Sequence, residues 1–221
     1  MASPKAVLFD IDGTLVDSVD LHAHAWQDAF REFGKEIGFE KLRSQIGKGS
    51  DTLMPEFLTN AELEKFGKKL EKARGEIFKD HYLARVRPFP RVRELFERLR
   101  ADGCRIALVS SGKEDEVAHH KELCDIEDLI DAQTTADDAE RSKPHPDIFA
   151  AAMEKFSDLT PRDACAVGDT PYDAEAAGKV GIRTLGVLCG GFPEAELRAA
   201  GAVAIFRDPA DLLARRQEIQ S

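Results

Sequence analysis

Two aspartates one residue apart, Asp10 and Asp12, close the apolar run Val7-Leu8-Phe9 and lead into Gly13-Thr14. An apolar run of this length reads as a buried strand. A strand that delivers two carboxylates at its carboxyl end puts charge at the edge where open α/β sheets bind ligands. Unpaired carboxylates are costly to bury, and a divalent cation is the simplest compensation. Carboxylates around a metal, with a glycine to let the backbone turn tightly, suggest hydrolysis or phosphoryl transfer.

Three other segments offer partners for that chemistry. Ser110 and Ser111 follow Ala107-Leu108-Val109, Lys143 precedes Pro144, and Gly168-Asp169-Thr170-Pro171-Tyr172-Asp173 follows Ala164-Cys165-Ala166-Val167. Parallel strands present their carboxyl ends at one edge, so these segments are predicted to converge on Asp10. Asp10, Asp169 and Asp173 then offer hard oxygen ligands that suit Mg2+ better than zinc. Lys143 supplies positive charge, and a serine hydroxyl can donate to phosphoryl oxygens. Each residue also has a plainer role. Asp10 or Asp12 could cap a turn, Ser110 could cap a helix, Lys143 could be a solvated charge, and Asp173 could sit on a helix dipole.

The elements that must hold these residues are legible as alternating units. Apolar runs at 104–109, 164–167, 182–187 and 202–206, with a weaker one at 129–131, read as strands. Helical patterns lie at about 90–102, 114–123, 146–156, 172–180, 193–200 and 209–217. Such alternation predicts an α/β fold, a Rossmann-like parallel sheet with helices on both faces. Residues 17–87 break the rhythm. Helices are expected from Ser18 to about Phe33 and at about 39–45, 50–57 and 60–82, with no strand. This divides the chain into a catalytic core of residues 1–16 and 88–221 and an all-helical inserted domain of residues 17–87. Its return hinge is expected at Arg87-Pro88-Phe89-Pro90, where two prolines stiffen the chain.

Composition narrows the function. A hydrophobic content of 43% over 221 residues allows a sizeable core and argues against global disorder. The net charge of −10 makes nucleic acid and anionic membranes poor partners, and any anion site needs locally gathered positive charge. Cys104, Cys124, Cys165 and Cys189 form no C-x-x-C pair, so they read as scattered core thiols of a reducing compartment. No basic-apolar leader and no membrane-length apolar run is present, and a cytoplasmic monomer or small homo-oligomer is the expectation.

Asp10-x-Asp12-Gly13-Thr14, Ser110, Lys143-Pro144 and Gly168-Asp169-x-x-x-Asp173, in this order, resemble the haloacid dehalogenase-like hydrolase superfamily over essentially the whole chain. The helical insertion resembles that superfamily's cap of the first type, in the phosphoglycolate phosphatase and β-phosphoglucomutase-like branch. The resemblance implies a Mg2+-dependent phosphatase acting on a small phosphorylated metabolite, phosphoglycolate- or sugar-phosphate-like. Asp10 is then the nucleophile that forms an aspartyl-phosphate, and Asp12 the general acid and base. Ser110 (or Ser111) and Lys143 bind the phosphoryl group. Asp10, the Asp12 main-chain carbonyl, Asp169 and Asp173 hold the metal, Asp173 either directly or through water.

The insertion should set the substrate, with His22, Lys48, Gly49 and Ser50 as candidate contacts. His22 and His24 cannot share one helix face. His22 is preferred, because its distance from Asp12 and the following Ala25-Trp26 resemble β-phosphoglucomutases, where the matching histidine helps prevent wasteful hydrolysis. Those mutases carry an arginine in the cap loop that grips a second phosphate. Asp51 stands near that place here, and an acidic residue repels a bisphosphate, which favours hydrolysis over the alternative of a phosphosugar mutase. The tail from Gly190-Gly191-Phe192 through Ala200-Gly201-Ala202 resembles phosphoglycolate-phosphatase-like members. A dehalogenase and a phosphonate hydrolase are disfavoured by Asp12 and Lys143. A non-catalytic phosphometabolite-binding protein is a lesser alternative. His81, His119, His120 and His145 read as bland, the middle pair as solvated helix residues.

Overall fold

The structure is a computed structural model that describes residues 3–219. Strand β1 (Ala6–Phe9) enters a tight turn and then the two-residue β2 (Val16–Asp17). A helical segment follows, with α1 (Val19–Glu32), α2 (Phe39–Arg43), α3 (Ser50–Leu53), α4 (Asn60–Glu62) and α5 (Lys68–Ile77). β3 (Arg87–Pro88) brings the chain back and pairs antiparallel with β2. Then come α6 (Val92–Ala101), β4 (Arg105–Val109), α7 (Glu114–Cys124), β5 (Ala132–Thr134) and α8 (Asp147–Glu154). The chain closes with β6 (Ala164–Gly168), α9 (Pro171–Val180), β7 (Arg183–Val187), α10 (Glu194–Ala199), β8 (Ala202–Phe206) and α11 (Pro209–Ala214).

Six strands form one parallel sheet in the order β5-β4-β1-β6-β7-β8. The chain starts at the centre, builds β4 and β5 on one side, then crosses to build the other. The switch point therefore lies beside β1, where open α/β sheets form their ligand crevice. Register sharpens this: Phe9 lies opposite Leu108 on one side and Val167 on the other. Asp10, Ser110 and Asp169 thus leave the sheet within one residue of the same level.

Two apolar layers hold the sheet, because side chains alternate across it. Val7 and Phe9 join Ile106, Leu108, Cys165 and Val167 on one face, under Leu95, Phe96 and Leu99 of α6. Ala6 and Leu8 join Ala107, Val109 and Ala166 on the other, under Ile148, Phe149 and Ala152 of α8. The α6 residues recur at helical spacing and are buried together. The helical segment has its own apolar cluster, built from Trp26, Phe30, Leu42, Leu53 and Leu70. Among the described residues, no helix is long and apolar enough to cross a membrane.

Three elements differ from their sequence-based expectation. The weak strand expected at 129–131 is displaced: Leu129 ends a short 3-10 turn, and the strand is Ala132–Thr134. Leu129 joins the apolar cluster, and the half-polar Ala-Gln-Thr segment suits an edge strand. Residues 17–87 contain strand after all, since Asp17 and Arg87 lie in the ribbon that joins the segment to the sheet. The helix expected over 60–82 is interrupted by wider π-helical turns at Leu63–Gly67 and Phe78–Tyr82.

Candidate active site

At the carboxyl edge of the sheet, Asp10, Asp169 and Asp173 are buried and offer oxygens that lie within 4.8 Å of one another. Lys143, 1% exposed, reaches in from the loop before α8. Its ammonium lies 2.5 Å from Asp10 Oδ1, 2.8 Å from Asp173 Oδ1 and 3.1 Å from the Val109 carbonyl. The contacts to Asp10 and Val109 are hydrogen bonds, whereas the one to Asp173 is an ion pair that leaves Asp173 Oδ1 without a hydrogen-bond partner. Thr14 Oγ1 lies 3.2 Å from Asp10 Oδ2 and 3.1 Å from Asp169 Oδ1, and its single proton serves one of them at a time. Asp169 Oδ2 is buried with no hydrogen-bond partner.

Charge counting shows what this cluster lacks. Three carboxylates and one ammonium leave two negative charges uncompensated in a buried site. Burial lifts the Asp10 carboxyl to about 7, with Lys143 opposing and Asp173 adding to the rise. Burial and the negative charges of Asp10 and Asp173 push Asp169 well above the ordinary range. A divalent cation would cancel this excess, and the all-oxygen donor set fits Mg2+. The backbone leaves room around Asp169: a Cβ on Gly190 would lie 1.7 Å from its Oδ2, and one on Gly13 2.4 Å away. Gly13 also has φ +81°, in the left-handed region.

Asp12 belongs to a second network. Its Oδ1 accepts from Ser18 Oγ at 2.6 Å and lies 2.9 Å from His22 Nε2. Arg74 Nη2 lies 2.6 Å from the other ring nitrogen of His22, Nδ1. A guanidinium can only donate, so Nδ1 accepts, and Nε2 carries the proton given to Asp12. The His22 ring is pinned by stacking on Phe78 at 4.0 Å. Burial pushes the Asp12 carboxyl up, while the hydrogen bonds from His22 and Ser18 lower it and favour the ionised form.

Between the sheet edge and the helical segment lies a cavity of about 100 Å³. Asp10, Asp12, His22 and Ser111 face it from the expected set, as do Lys48, Gly49 and Ser50. Their side chains are already engaged in part. Lys48 Nζ donates to Gln45 at 2.5 Å and Glu56 at 2.9 Å, and Ser50 Oγ donates to Glu71 at 2.5 Å. Gly49 serves close approach: a Cβ there would lie 1.9 Å from Ser142 Oγ. Ser110 and Lys143 do not line the cavity. Ser110 Oγ instead accepts the Gly112 N–H at 3.0 Å, whereas the Ser111 hydroxyl is unpartnered.

Two expectations are corrected. Asp51 does not line the cavity, because its Oδ2 accepts the Ser142 N–H at 3.0 Å and ties the helical segment to the Lys143 loop. Its charge therefore acts on a backbone donor rather than on a second phosphate. His120 is 2% exposed rather than solvated, and burial lowers its proton affinity. His24 packs against Phe39 and Tyr82. The sequence reading also missed Trp26, Glu71, Arg74 and Glu116, all facing the cavity. Trp26 was detectable, since it lies four residues after His22 on the same helix face. Arg74 and Glu116 sit among many charges on their helices, and nothing in the sequence singles them out.

The family model of haloacid dehalogenase-like hydrolases matches residues 7–187, from β1 to the end of β7. The chain belongs to the haloacid dehalogenase-like hydrolase family. Among its relatives within and near that family, a phosphoglycolate phosphatase of Nitrosospira multiformis is 32% identical over 182 residues, covering 80% of each chain. A phosphorylated carbohydrates phosphatase of Thermotoga maritima is 27% identical and covers 97% of this hydrolase and 99% of its own length. A solved hydrolase from Pseudomonas syringae superposes with a TM-score of 0.88 at 27% identity, covering 98% and 99% of the two chains. The relatives' names cover phosphorylated carbohydrates, phosphoglycolate and pyrophosphate. The chemistry of the leaving group in this haloacid dehalogenase-like hydrolase therefore has to come from its own cavity.

Proposed function

We propose that this hydrolase is a Mg2+-dependent phosphatase that cleaves small phosphate monoesters through an aspartyl-phosphate on Asp10, with residues 17–87 as a cap that closes the site. The observation that carries the reading is the pairing of Asp10 with Lys143 beside the orphaned Asp169 oxygen. It gives a carboxylate facing a cavity, flanked by fixed positive charge and by room for more. Asp10, Asp169, the Asp12 carbonyl and, directly or through water, Asp173 would hold Mg2+, which would supply charge neutralisation for the incoming dianion.

Asp10 attacks phosphorus in line, and the bond to the ester oxygen breaks as Asp12 gives that oxygen a proton. Water then attacks the same phosphorus, Asp12 takes back a proton, and Asp10 is released with inorganic phosphate. The hydrogen bonds from Ser18 and His22 favour the ionised form of Asp12, which the second step uses. The acid form follows when a phosphate dianion arrives, since a neighbouring anion favours protonating a carboxylate. Lys143 is held between Asp10 and Asp173 and does not line the cavity, so it acts on the phosphoryl group through charge. Ser111, with a free hydroxyl facing the cavity, is the better-placed donor than Ser110. In the cavity wall Glu116 pairs with Arg74 and Glu56 holds Lys48, while Glu71 adds negative charge, so these two cations are already compensated when a second phosphate arrives, which supports hydrolysis over mutase chemistry.

A phosphate-release screen with and without Mg2+ tests the reading, and Mg2+-independent turnover or none at all contradicts it. Asp12→Ala is expected to lower kcat/KM, which reports the first step alone, about 10²–10⁴-fold for alkyl phosphates and far less for nitrophenyl phosphate, because a nitrophenolate leaves without protonation. Equal losses on both would remove Asp12 from the acid role. Mg2+ at roughly a hundred times its Kd is expected to raise the melting temperature by about 5–10 °C over chelator-treated protein. Asp169→Asn should erase that rise, and its persistence would move the cation elsewhere.

A further inference from the structure

Three polar groups facing the cavity are left without hydrogen-bond partners. Glu116, in the first turn of α7, is 3% exposed. Its ion pair with Arg74 Nη1 is 3.6 Å long, beyond hydrogen-bond reach, and no hydrogen bond to its carboxylate forms among the described residues. Arg74 Nε and Ser111 Oγ are buried and unpartnered. Arg74 cannot turn away to satisfy itself. His22 holds its Nη2, and its plane lies over the rings of Trp26 at 5.5 Å and Phe78 at 5.3 Å. Leaving such groups unsatisfied is expensive, so a ligand that completes them gains that energy on binding.

Ser111 serves the phosphoryl group, so the other two specify the rest of the ligand. Glu116 needs a donor, and Arg74 Nε needs an acceptor. Glu71 adds a second carboxylate to the wall from the cap side. A hydroxyl group both donates and accepts, so hydroxyls on adjacent carbons satisfy Glu116 and Arg74 together. A carboxylate would meet Arg74 but repel Glu116 and Glu71, and an amine would leave Arg74 unmet. The cavity volume suits a leaving group of several heavy atoms.

Resting on the phosphatase reading, we infer that the leaving group is a neutral polyol or sugar rather than a carboxylate-bearing alcohol. Glu116 and Arg74 are its specificity-determining residues, binding vicinal hydroxyls as acceptor and donor.

Calorimetry on the native protein with Mg2+ and three non-hydrolysable phosphonates tests this without any turnover. 3,4-Dihydroxybutylphosphonate carries the diol, 2-carboxyethylphosphonate the carboxylate, and propylphosphonate neither. The diol is expected to bind about 10- to 100-fold more tightly than propylphosphonate, as hydrogen bonds to charged partners allow. The carboxylate should bind no better than propylphosphonate. In Glu116→Gln the advantage of the diol should fall to within about threefold. Equal binding of diol and propylphosphonate in the native protein overturns the inference, and so does an unchanged diol advantage in Glu116→Gln. Tightest binding of the carboxylate, lost in Lys113→Ala, also overturns it and assigns the exposed Lys113 at the cavity wall instead. Failure of phosphate release, measured separately with nitrophenyl and sugar phosphates, would remove the reaction and leave the ligand preference standing.

Discussion

Asp10→Asn is expected to release phosphate at least ~10⁴-fold more slowly than the native enzyme, on every ester tested. An amide keeps the shape but cannot be the nucleophile, and no other carboxylate can substitute by a small movement. Asp12 is held by Ser18 and His22, and Asp173 by Lys143 and by the N–H and hydroxyl of Thr170. The fold should survive, because the substitution removes one of three like charges from a buried cluster. In chelator, the melting temperature of the variant should equal or exceed that of the native protein. A loss of activity under tenfold would mean that water attacks phosphorus directly.

Lys143→Met is expected to be the most damaging single change to stability. It leaves Asp10 and Asp173 facing each other with no ammonium between them, in a site where Lys143 and Asp173 are each 1% exposed. Breaking one partner of a buried ion pair costs about 3–5 kcal/mol. In a chain of this size that lowers the melting temperature by about 6–20 °C. The deficit should shrink as pH falls. In the folded, cation-free protein Asp10 sits at about 7 against an ordinary 3.8, so between those values the unfolded chain holds fewer protons and stability falls as pH rises. Removing Lys143, which opposes that rise, extends the window upward. Melting curves in chelator at several pH values check it, and a deficit independent of pH would contradict the electrostatic origin.

Much of the fold could be read from the chain because its signals are local. Short, fully apolar strands such as Ala6–Phe9 alternate with helices patterned like α6, and a parallel sheet then brings distant strand ends together. That is why Asp10, Lys143, Asp169 and Asp173, spread over most of the sequence, meet within hydrogen-bond and ligation distances. What local pattern does not contain is which way a charged side chain turns once two surfaces meet. The position of Asp51 predicts a side chain facing substrate, but its carboxylate accepts the Ser142 backbone N–H instead. Arg74 and Glu116 lie on separate helices 42 positions apart in sequence and become a pair only when the helical segment sits on the sheet edge. The displaced β5 has a similar cause. Leu129 is apolar because it plugs the core, not because its backbone joins the ladder.

The covalent step can be observed directly. Native enzyme with Mg2+ and excess phosphate ester, quenched in acid during turnover and treated with borohydride, should have its aspartyl-phosphate reduced to homoserine. Peptide mass spectrometry should then find homoserine in place of Asp10 and at no other aspartate. Active turnover with Asp10 unmodified, or modification at Asp12, Asp169 or Asp173 instead, would contradict the account.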